Sequence, residues 1–195
     1  MFPVSVHARR TLARFVIALA LFWSCLAAAQ TETEVYLVRG WFGVFSTGMD
    51  TVEGQLREKG IRAEAINHWM ARSVVAKIVS NRAAGERTRL VLVGHSQGAN
   101  NAIEMARELK EHDIKVDLLI ALVPFMQDPV PSNVVRALNY YQSPGWGTPL
   151  TGDPNFQGEI SNIDVGKQWS TFHITIDKTA EVQEAIVREI LALSQ

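Results

Sequence analysis

RLVLVGHSQGANNA, residues 89–102, is the stretch of sequence that decides the fold. Its apolar run Leu90–Val93 is typical of a strand buried on both faces, and the residues from Ala99 to Leu109 are helix formers at helical spacing. Between them, Gly94-x-Ser96-x-Gly98 lets the backbone turn sharply, so that the serine hydroxyl stands clear at the end of the strand. The position of this motif between a strand and a helix makes Ser96 a candidate nucleophile; a glycine-rich turn without chemistry is the alternative.

Segments with strand and helix patterns alternate on both sides of this motif. Apolar runs predict further strands at 34–39, 61–66, 116–123, 134–142 and 160–165, and helical patterns predict further helices at 47–59, 71–84 and 180–193. Such alternation indicates an α/β fold, a mostly parallel, doubly wound sheet of about six strands with helices on both faces. Ser46 or Thr47 is expected to cap the helix that runs to residue 59. Only about ten residues separate the strands at 116–123 and 134–142, so we expect no lid domain.

The first 29 residues have the composition of a secretory signal peptide. Arg9, Arg10 and Arg14 precede the apolar run 15–26, and the alanines at 27–29 offer a cleavage site. We therefore predict a signal peptide over 1–29, one globular domain over 30–195 and a periplasmic or extracellular location, with a retained membrane anchor as the alternative. The two adjacent arginines leave both the general and the twin-arginine export routes open. Cleavage would remove Cys25, the single cysteine of the chain.

The charge of the predicted mature chain argues against a nucleic-acid partner. The sequence has 19 basic and 20 acidic residues, and loss of the three leader arginines leaves 16 and 20, a formal charge of −4. No basic patch is evident, so nucleic acid is not an expected partner.

Four histidines remain after cleavage, and their positions differ in what they allow. His68 precedes Ser96, against the chain order of nucleophile, acid and base that accompanies this motif. His95 lies inside the turn, where its side chain should point into the packing beneath it, and His112 follows the motif helix at roughly 24 Å from the serine. His173 lies after the last strand and before the last helix, and it is the predicted general base.

An acid that orients the histidine is harder to place. Asp128 follows the strand after the motif helix and is the leading candidate, with Asp153 and Asp164 in later loops as alternatives. Asp177 is expected to cap the closing helix instead. A weak or absent acid is a further alternative, because the acid chiefly orients the imidazole and stabilises its charged form.

Three segments carry a resemblance to a known family: 39–50 (RGWFGVFSTGMD), 94–99 (GHSQGA) and 173–178 (HITIDK). With them the mature chain resembles the α/β-hydrolase superfamily over nearly its full length, and within it small secreted bacterial lipases, esterases and thioesterases. The resemblance implies a Ser-acid-His mechanism without metal or cofactor, and an oxyanion hole made by the backbone N–H groups of Trp41 and Gln97. The sequence departs from lipases in having Arg39 where a histidine usually precedes Gly40, and Val123-Pro124 where some lipases have Asp-Pro.

Aromatic residues indicate what the site accepts. Five of them fall in loops at the predicted active edge, namely Trp41, Phe42, Phe45, Trp146 and Trp169. They suit an apolar acyl or aromatic group of a small ester or thioester, although packing beneath loops is the alternative for each. The predicted function is a secreted serine hydrolase that forms an acyl-enzyme on Ser96, with no stable membrane anchor after cleavage. The alternative is a catalytically weak or inactive binding protein with the same fold, and peptide or amide cleavage is a third, less favoured function.

Overall fold

A computed structural model of the chain describes residues 32–41, 46–166 and 175–194. Each predicted strand and helix is present there, with bounds that differ by a few residues. The elements are β1 Thr33–Arg39, α1 Gly48–Glu58, β2 Arg62–Asn67, α2 Ala71–Ala83, β3 Arg89–His95, α3 Gln97–Lys110, β4 Leu118–Leu122, β5 Arg136–Tyr141, β6 Glu159–Asp164 and α4 Ala180–Leu193. Single 3₁₀ turns are formed by His68–Met70 and Ile176–Lys178.

The six strands form one sheet in the order β2-β1-β3-β4-β5-β6. All five pairs of neighbouring strands are parallel, which confirms the predicted sheet. The strand that precedes Ser96, β3, lies between β1 and β4, with Val38 opposite Gly94 and His95 opposite Leu122. Because parallel strands end at the same edge, the segments that follow β1, β3 and β4 meet beside Ser96.

Both faces of the sheet are covered by helices. Along β3, Val91 and Val93 pack in a core with residues of α1 and α4, whereas Leu90 and Leu92 pack in a second core with residues of α2 and α3. This alternation explains why the sequence of β3 is apolar without interruption. Burial of each such side chain contributes about 1.5–3 kcal/mol to the transfer free energy that favours folding.

The ends of α1 and α2 follow the local sequence. Gly60 and Gly85 have φ angles of 79° and 97°, which glycine adopts without the steric cost of a β-carbon, and each lies just past the end of one of these helices. Thr47 occupies the N-cap position of α1. The backbone N–H of Gly48, however, donates to the carboxylate of Asp177 at 2.9 Å, so a distant residue caps this helix in place of the predicted Ser46 or Thr47 side chain.

No helix within the described ranges has the length and apolar character needed to cross a bilayer. The predicted leader, 1–29, lies outside those ranges, and its cleavage remains a prediction.

Candidate active site

Ser96 lies at the junction between β3 and α3 in a backbone conformation that is costly for a residue with a β-carbon. Its φ and ψ angles are 56° and −123°. The conformation is held by two backbone hydrogen bonds, from Ser96 N to Leu122 O at 2.8 Å and from Ala99 N to Ser96 O at 2.9 Å. The predicted strand, sharp turn and helix are therefore all present. The residue at the corresponding end of β4, Val123, also has a positive φ angle, 42°, so two of the three non-glycine residues with positive φ in the described ranges lie at this edge of the sheet.

The two glycines of the motif are required by close backbone packing. A β-carbon on Gly94 would lie 2.2 Å from Gly98 O, and a β-carbon on Gly98 would lie 2.1 Å from Val38 O. Both distances are far inside van der Waals contact. The first turn of α3 therefore packs directly on β3 and β1, which holds Ser96 at the edge of the sheet.

The segment after β1 runs beside this turn. A β-carbon on Gly40 would lie 3.3 Å from Ser96 Cβ and 3.0 Å from His95 O. Gln97 begins α3, so its N–H is one of the first four of the helix, which have no acceptor within the helix and lie at the positive end of its dipole. The structure thus brings the segment of Trp41 and the start of α3 to Ser96, and the roles of the Trp41 and Gln97 N–H groups as oxyanion donors remain predictions.

Arg39 is paired with Asp50 in the first turn of α1. Nε of Arg39 donates to Asp50 Oδ2 at 3.1 Å, and its Nη2 contacts Asp50 Oδ1. The hydrogen bond to Asp50 raises the pKa of Arg39 above its ordinary value. The guanidinium therefore holds the end of β1 to the start of α1.

A buried polar cluster, formed by Ser46, His95 and Asp177, lies beneath the turn. The hydroxyl of Ser46 accepts a hydrogen bond from Gly40 N at 2.9 Å and lies 2.8 Å from His95 Nδ1. His95 Nδ1 lies 3.9 Å from Asp177 Oδ1, and Asp177 Oδ2 accepts the Gly48 N–H. The three side chains are at most 2% exposed. Burial raises the pKa of Asp177 to about 6.

This cluster confirms one expectation from the sequence and corrects another. The side chain of His95 does point into the packing beneath the turn. The expectation that Asp177 caps the closing helix is wrong, because α4 has Thr179 at its N-cap and the carboxylate of Asp177 binds the start of α1. The partner of Asp177 lies 129 residues earlier in the chain, and a local capping pattern carries no information about such a contact.

Asp128 lies close to the first turns of α3. Its Oδ2 accepts a hydrogen bond at 2.7 Å from Nδ2 of Asn100, four residues after Ser96. The amide oxygen of Asn100 accepts from the backbone N–H groups of Phe125 and Met126, at 2.9 and 3.1 Å. Asn100, which the sequence analysis did not single out, therefore fixes the loop that carries Asp128.

The other two candidate acids differ in position. Asp164 ends β6 at the same edge of the sheet, and its Oδ1 accepts from Ser143 N at 3.1 Å and Gly166 N at 2.9 Å. Asp153 accepts instead from Nζ of Lys110 at 2.9 Å, and this hydrogen bond lowers its pKa. Lys110 is the last residue of α3, about 20 Å along the helix from its start. The structure therefore separates Asp153 from Ser96.

The predicted base His173 lies outside the described residues, as do Phe42, Phe45 and Trp169. The segment that holds His173 begins after Gly166, just past the end of β6, and returns at Thr175 next to the 3₁₀ turn that contains Asp177. His112 is exposed just past the end of α3, as predicted. In 32–41, 46–166 and 175–194 there is no group of three or more His, Cys, Asp or Glu side chains placed to hold a metal ion.

Exposed apolar side chains follow the carboxyl ends of several strands, at the edge of the sheet where Ser96 lies. Their exposed fractions lie between 37% and 65%. They come after the carboxyl ends of four strands, namely β2 (Trp69, Met70), β1 (Trp41), β4 (Phe125, Met126) and β5 (Trp146). In the order of the sheet, β3 and Ser96 lie in the middle of this row. Since neighbouring strands are about 4.8 Å apart, the row from β2 to β5 spans about 20 Å.

Comparison with known proteins gives no match by sequence family. No protein-family model matches the chain, and neither does any curated protein sequence. By structure, the chain is similar to the type II thioesterase BorB from the borrelidin biosynthetic cluster, at 13% identity and a TM-score of 0.53, covering 86% of this chain and 95% of that chain.

Two further solved structures show the same similarity. YbtT, the type II thioesterase of the yersiniabactin NRPS/PKS biosynthetic pathway, is 12% identical with a TM-score of 0.53, covering 87% of this chain and 97% of that chain. Est1E from Butyrivibrio proteoclasticus is 14% identical with a TM-score of 0.51, covering 85% and 89%. With its parallel six-stranded sheet, helices on both faces and a strained serine between the central strand and its helix, this chain has the α/β-hydrolase fold that these proteins share.

Proposed function

We propose that this protein is a serine hydrolase that cleaves carboxylic ester or thioester bonds through an acyl-enzyme on Ser96. The observation that carries the proposal is the conformation of Ser96, with φ at 56° directly between β3 and α3. A residue held in such a strained conformation by its neighbours is a common feature of functional sites. The glycines at 94 and 98 allow the close packing that keeps this serine at the edge of the sheet.

The proposed mechanism uses residues of the chain alone. His173 accepts the proton of the Ser96 hydroxyl as its Oγ attacks the carbonyl carbon of the substrate. The negative charge that forms on the carbonyl oxygen is stabilised by the backbone N–H groups of Trp41 and Gln97. The protonated His173 then gives its proton to the leaving alcohol or thiol, and water activated by the same histidine releases the acid. Asp128 orients the imidazole.

The row of exposed apolar side chains supports a substrate with an apolar acyl or aromatic group. Trp41 and Phe125 follow the two strands that flank β3, so they are placed to contact a group bound at Ser96. Two of the similar structures are named as thioesterases, and Est1E has also been solved with ferulic acid bound. These names support a small ester or thioester as the substrate class.

The decisive experiment is labelling with a fluorophosphonate, which reacts with an activated serine whatever the natural substrate. The purified wild type should be labelled and should hydrolyse p-nitrophenyl butyrate, whereas Ser96→Ala and His173→Ala should do neither. Ser73→Ala, at an exposed serine whose hydroxyl donates to Met70 O, serves as the matched control and should behave as wild type. A folded wild type that is neither labelled nor active would contradict the proposal and favour a binding protein with this fold.

We also propose that the chain is exported to the periplasm or the extracellular space with removal of residues 1–29. Expression of the full chain in a bacterium should give an exported product whose measured mass is that of residues 30–195. Ala29→Lys should block cleavage, because the processing enzyme requires a small residue there. Recovery of wild type at full length from the cytosol would contradict export.

A further inference from the structure

The buried polar cluster has the residue types of a catalytic triad but not the accessibility of one. Ser46, His95 and Asp177 are 1%, 2% and 0% exposed, so no substrate reaches the Ser46 hydroxyl. Each of the three side chains instead belongs to, or binds, a segment that the proposed mechanism needs at Ser96. The cluster therefore connects those segments to one another and does not react with substrate.

The first connection is a hydrogen bond made by the residue before Trp41, the proposed oxyanion donor. Gly40 N donates to Ser46 Oγ at 2.9 Å, which joins the residue before Trp41 to a residue two positions before the start of α1. The same Gly40 lies against Ser96, since its added β-carbon would be 3.3 Å from Ser96 Cβ. The Ser46 hydroxyl thus sets the orientation of the Arg39–Gly40 peptide, which is one peptide before the one that carries the Trp41 N–H.

The second connection joins that hydroxyl to the turn itself. His95 Nδ1 lies 2.8 Å from Ser46 Oγ, and His95 is the residue bonded directly to Ser96. The backbone of His95 is fixed by its place in β3, opposite Leu122 of β4. The imidazole therefore fixes the position of the Ser46 hydroxyl relative to the nucleophile. Through that hydroxyl it also fixes the position of Gly40 N.

The third connection comes from the segment after His173. Asp177 lies four residues beyond that histidine, and its Oδ2 accepts the Gly48 N–H at the start of α1. A β-carbon on Gly48 would lie 1.9 Å from Asp177 O, so the two segments are in direct backbone contact. Oδ1 of Asp177 has no hydrogen-bond partner among the described residues and faces His95 Nδ1 at 3.9 Å.

We propose that Ser46, His95 and Asp177 are positioning residues for the hydrolysis proposed above, on which this inference rests. They hold the segment of the oxyanion donor and the segment of the general base in register with Ser96, without contacting substrate. Catalytic groups must be held within about 0.5 Å of their productive positions, so loosening of this cluster weakens stabilisation of the transition state more than binding of the substrate.

The test separates positioning from folding by steady-state kinetics. Ser46→Ala and His95→Leu should lower kcat for p-nitrophenyl butyrate by about 10- to 100-fold, with KM changed by less than about twofold. Affinity for an alkyl trifluoromethyl ketone, which forms an oxyanion on an active serine, should weaken by the same factor as kcat/KM. His95→Asn should recover most of the activity lost in His95→Leu, because the Asn amide places a polar atom close to the position of Nδ1.

Asn133→Ala is the matched control, since it loses two partly buried hydrogen bonds away from the site. Asn133 Nδ2 donates to Ala106 O at 2.8 Å and Ile114 O at 2.7 Å, near the far end of α3. Its stability should fall while kcat stays at the wild-type value. Asp177→Asn keeps an oxygen acceptor for Gly48 N but places an amide NH2 where Oδ1 faces His95 Nδ1. We therefore expect it to fold with a lowered kcat, which gives a second measurement if Ser46→Ala does not fold.

The outcomes distinguish this inference from the proposed function. An active, labelled wild type whose kcat is unchanged in Ser46→Ala, His95→Leu and Asp177→Asn would overturn the positioning role alone. Equal losses in His95→Asn and His95→Leu would also overturn it, since the polar atom would then have no effect. A wild type without activity or labelling would overturn both proposals.

Discussion

A β-carbon placed on Gly98 would lie 2.1 Å from the carbonyl oxygen of Val38, which belongs to the neighbouring strand β1. The first turn of α3 can approach the sheet this closely because residue 98 has no side chain. Gly98→Ala must push α3 away from β1 in a region with no free volume, so we expect the free energy of unfolding to fall by about 2–3 kcal/mol. Urea denaturation followed by circular dichroism measures this change.

Gly54→Ala provides the matched control for that substitution. Gly54 lies in α1, and its added β-carbon meets no atom within 4 Å. Alanine favours the helix over glycine, so this variant should be more stable than wild type by about 0.5–1 kcal/mol. Equal changes in the free energy of unfolding for the two substitutions would show that close packing at Gly98 does not account for the effect of its substitution.

The conformation of Ser96 predicts an opposition between stability and activity. A residue with a β-carbon at φ 56° and ψ −123° costs about 1–3 kcal/mol, which glycine does not incur. Glycine has a larger entropy in the unfolded chain, which offsets about 0.5–1 kcal/mol of the gain. We therefore expect Ser96→Gly to be about 1 kcal/mol more stable than Ser96→Ala, with both inactive. Both variants lose the hydroxyl, so a Ser96→Gly variant that is less stable than Ser96→Ala by about 0.5–1 kcal/mol would show that Ser96 is unstrained.

Asp177 predicts a pH dependence of stability with a definite sign. Burial raises its pKa from 3.8 to about 6, so the folded state favours the neutral acid. This contribution to stability is fully present below about pH 4 and is lost as the pH rises through 6. The shift corresponds to about 3 kcal/mol. The stability of Asp177→Asn, relative to wild type, should therefore increase by up to about this amount between pH 4 and pH 7.

The measurement is urea denaturation of both proteins at intervals of half a pH unit. Charges near the carboxylate modify the curve, since Lys178 lowers the pKa of Asp177 and Asp50 raises it, and His95 Nδ1 lies 3.9 Å away. All three groups are present in both proteins. A difference in stability that is constant across this range would mean that Asp177 is charged or neutral to the same extent when folded and unfolded.

The fold was predictable because its main signals are local and redundant. The run Leu90–Val93 is apolar at every position because β3 is covered on both faces, and the glycines at 60 and 85 end helices that their own sequences predict. The start of α1 was harder to predict, since Ser46 has the residue type of an N-cap. Its hydroxyl binds Gly40 N and His95 Nδ1 instead, and those contacts depend on tertiary structure.

Only those features of the site that depend on residues close together in the sequence could be predicted. The motif around Ser96 predicts the strained turn, and chain order separates Asp128 and Asp164 from earlier residues. Nothing local indicates that Asp153 pairs with Lys110 across 43 residues, or that Asn100 binds the loop of Asp128. The residue type of Asn100, an amide in the first turns of the motif helix, is compatible with binding a neighbouring loop but does not identify that loop.

The identity of the acid gives a prediction that separates the two remaining candidates. Asp128→Asn keeps an oxygen that accepts from Asn100 Nδ2, so the loop after β4 should stay in place while the negative charge is lost. If Asp128 orients His173, kcat for p-nitrophenyl butyrate should fall by about 10²- to 10⁴-fold and fluorophosphonate labelling should slow. Asp164→Asn should retain most of the activity, because its carbonyl oxygen can still accept from Ser143 N and Gly166 N.

Asp153→Asn is the control for this pair, since it removes a charge that is paired with Lys110 at the far end of α3. The partly exposed ion pair contributes little to stability, and the kcat of this variant should match that of wild type. A large loss of kcat in Asp164→Asn with an active Asp128→Asn would assign the acid to the end of β6 instead. In that case the segment of His173 would be oriented from its own strand, two strands further from Ser96 than the loop that Asn100 holds.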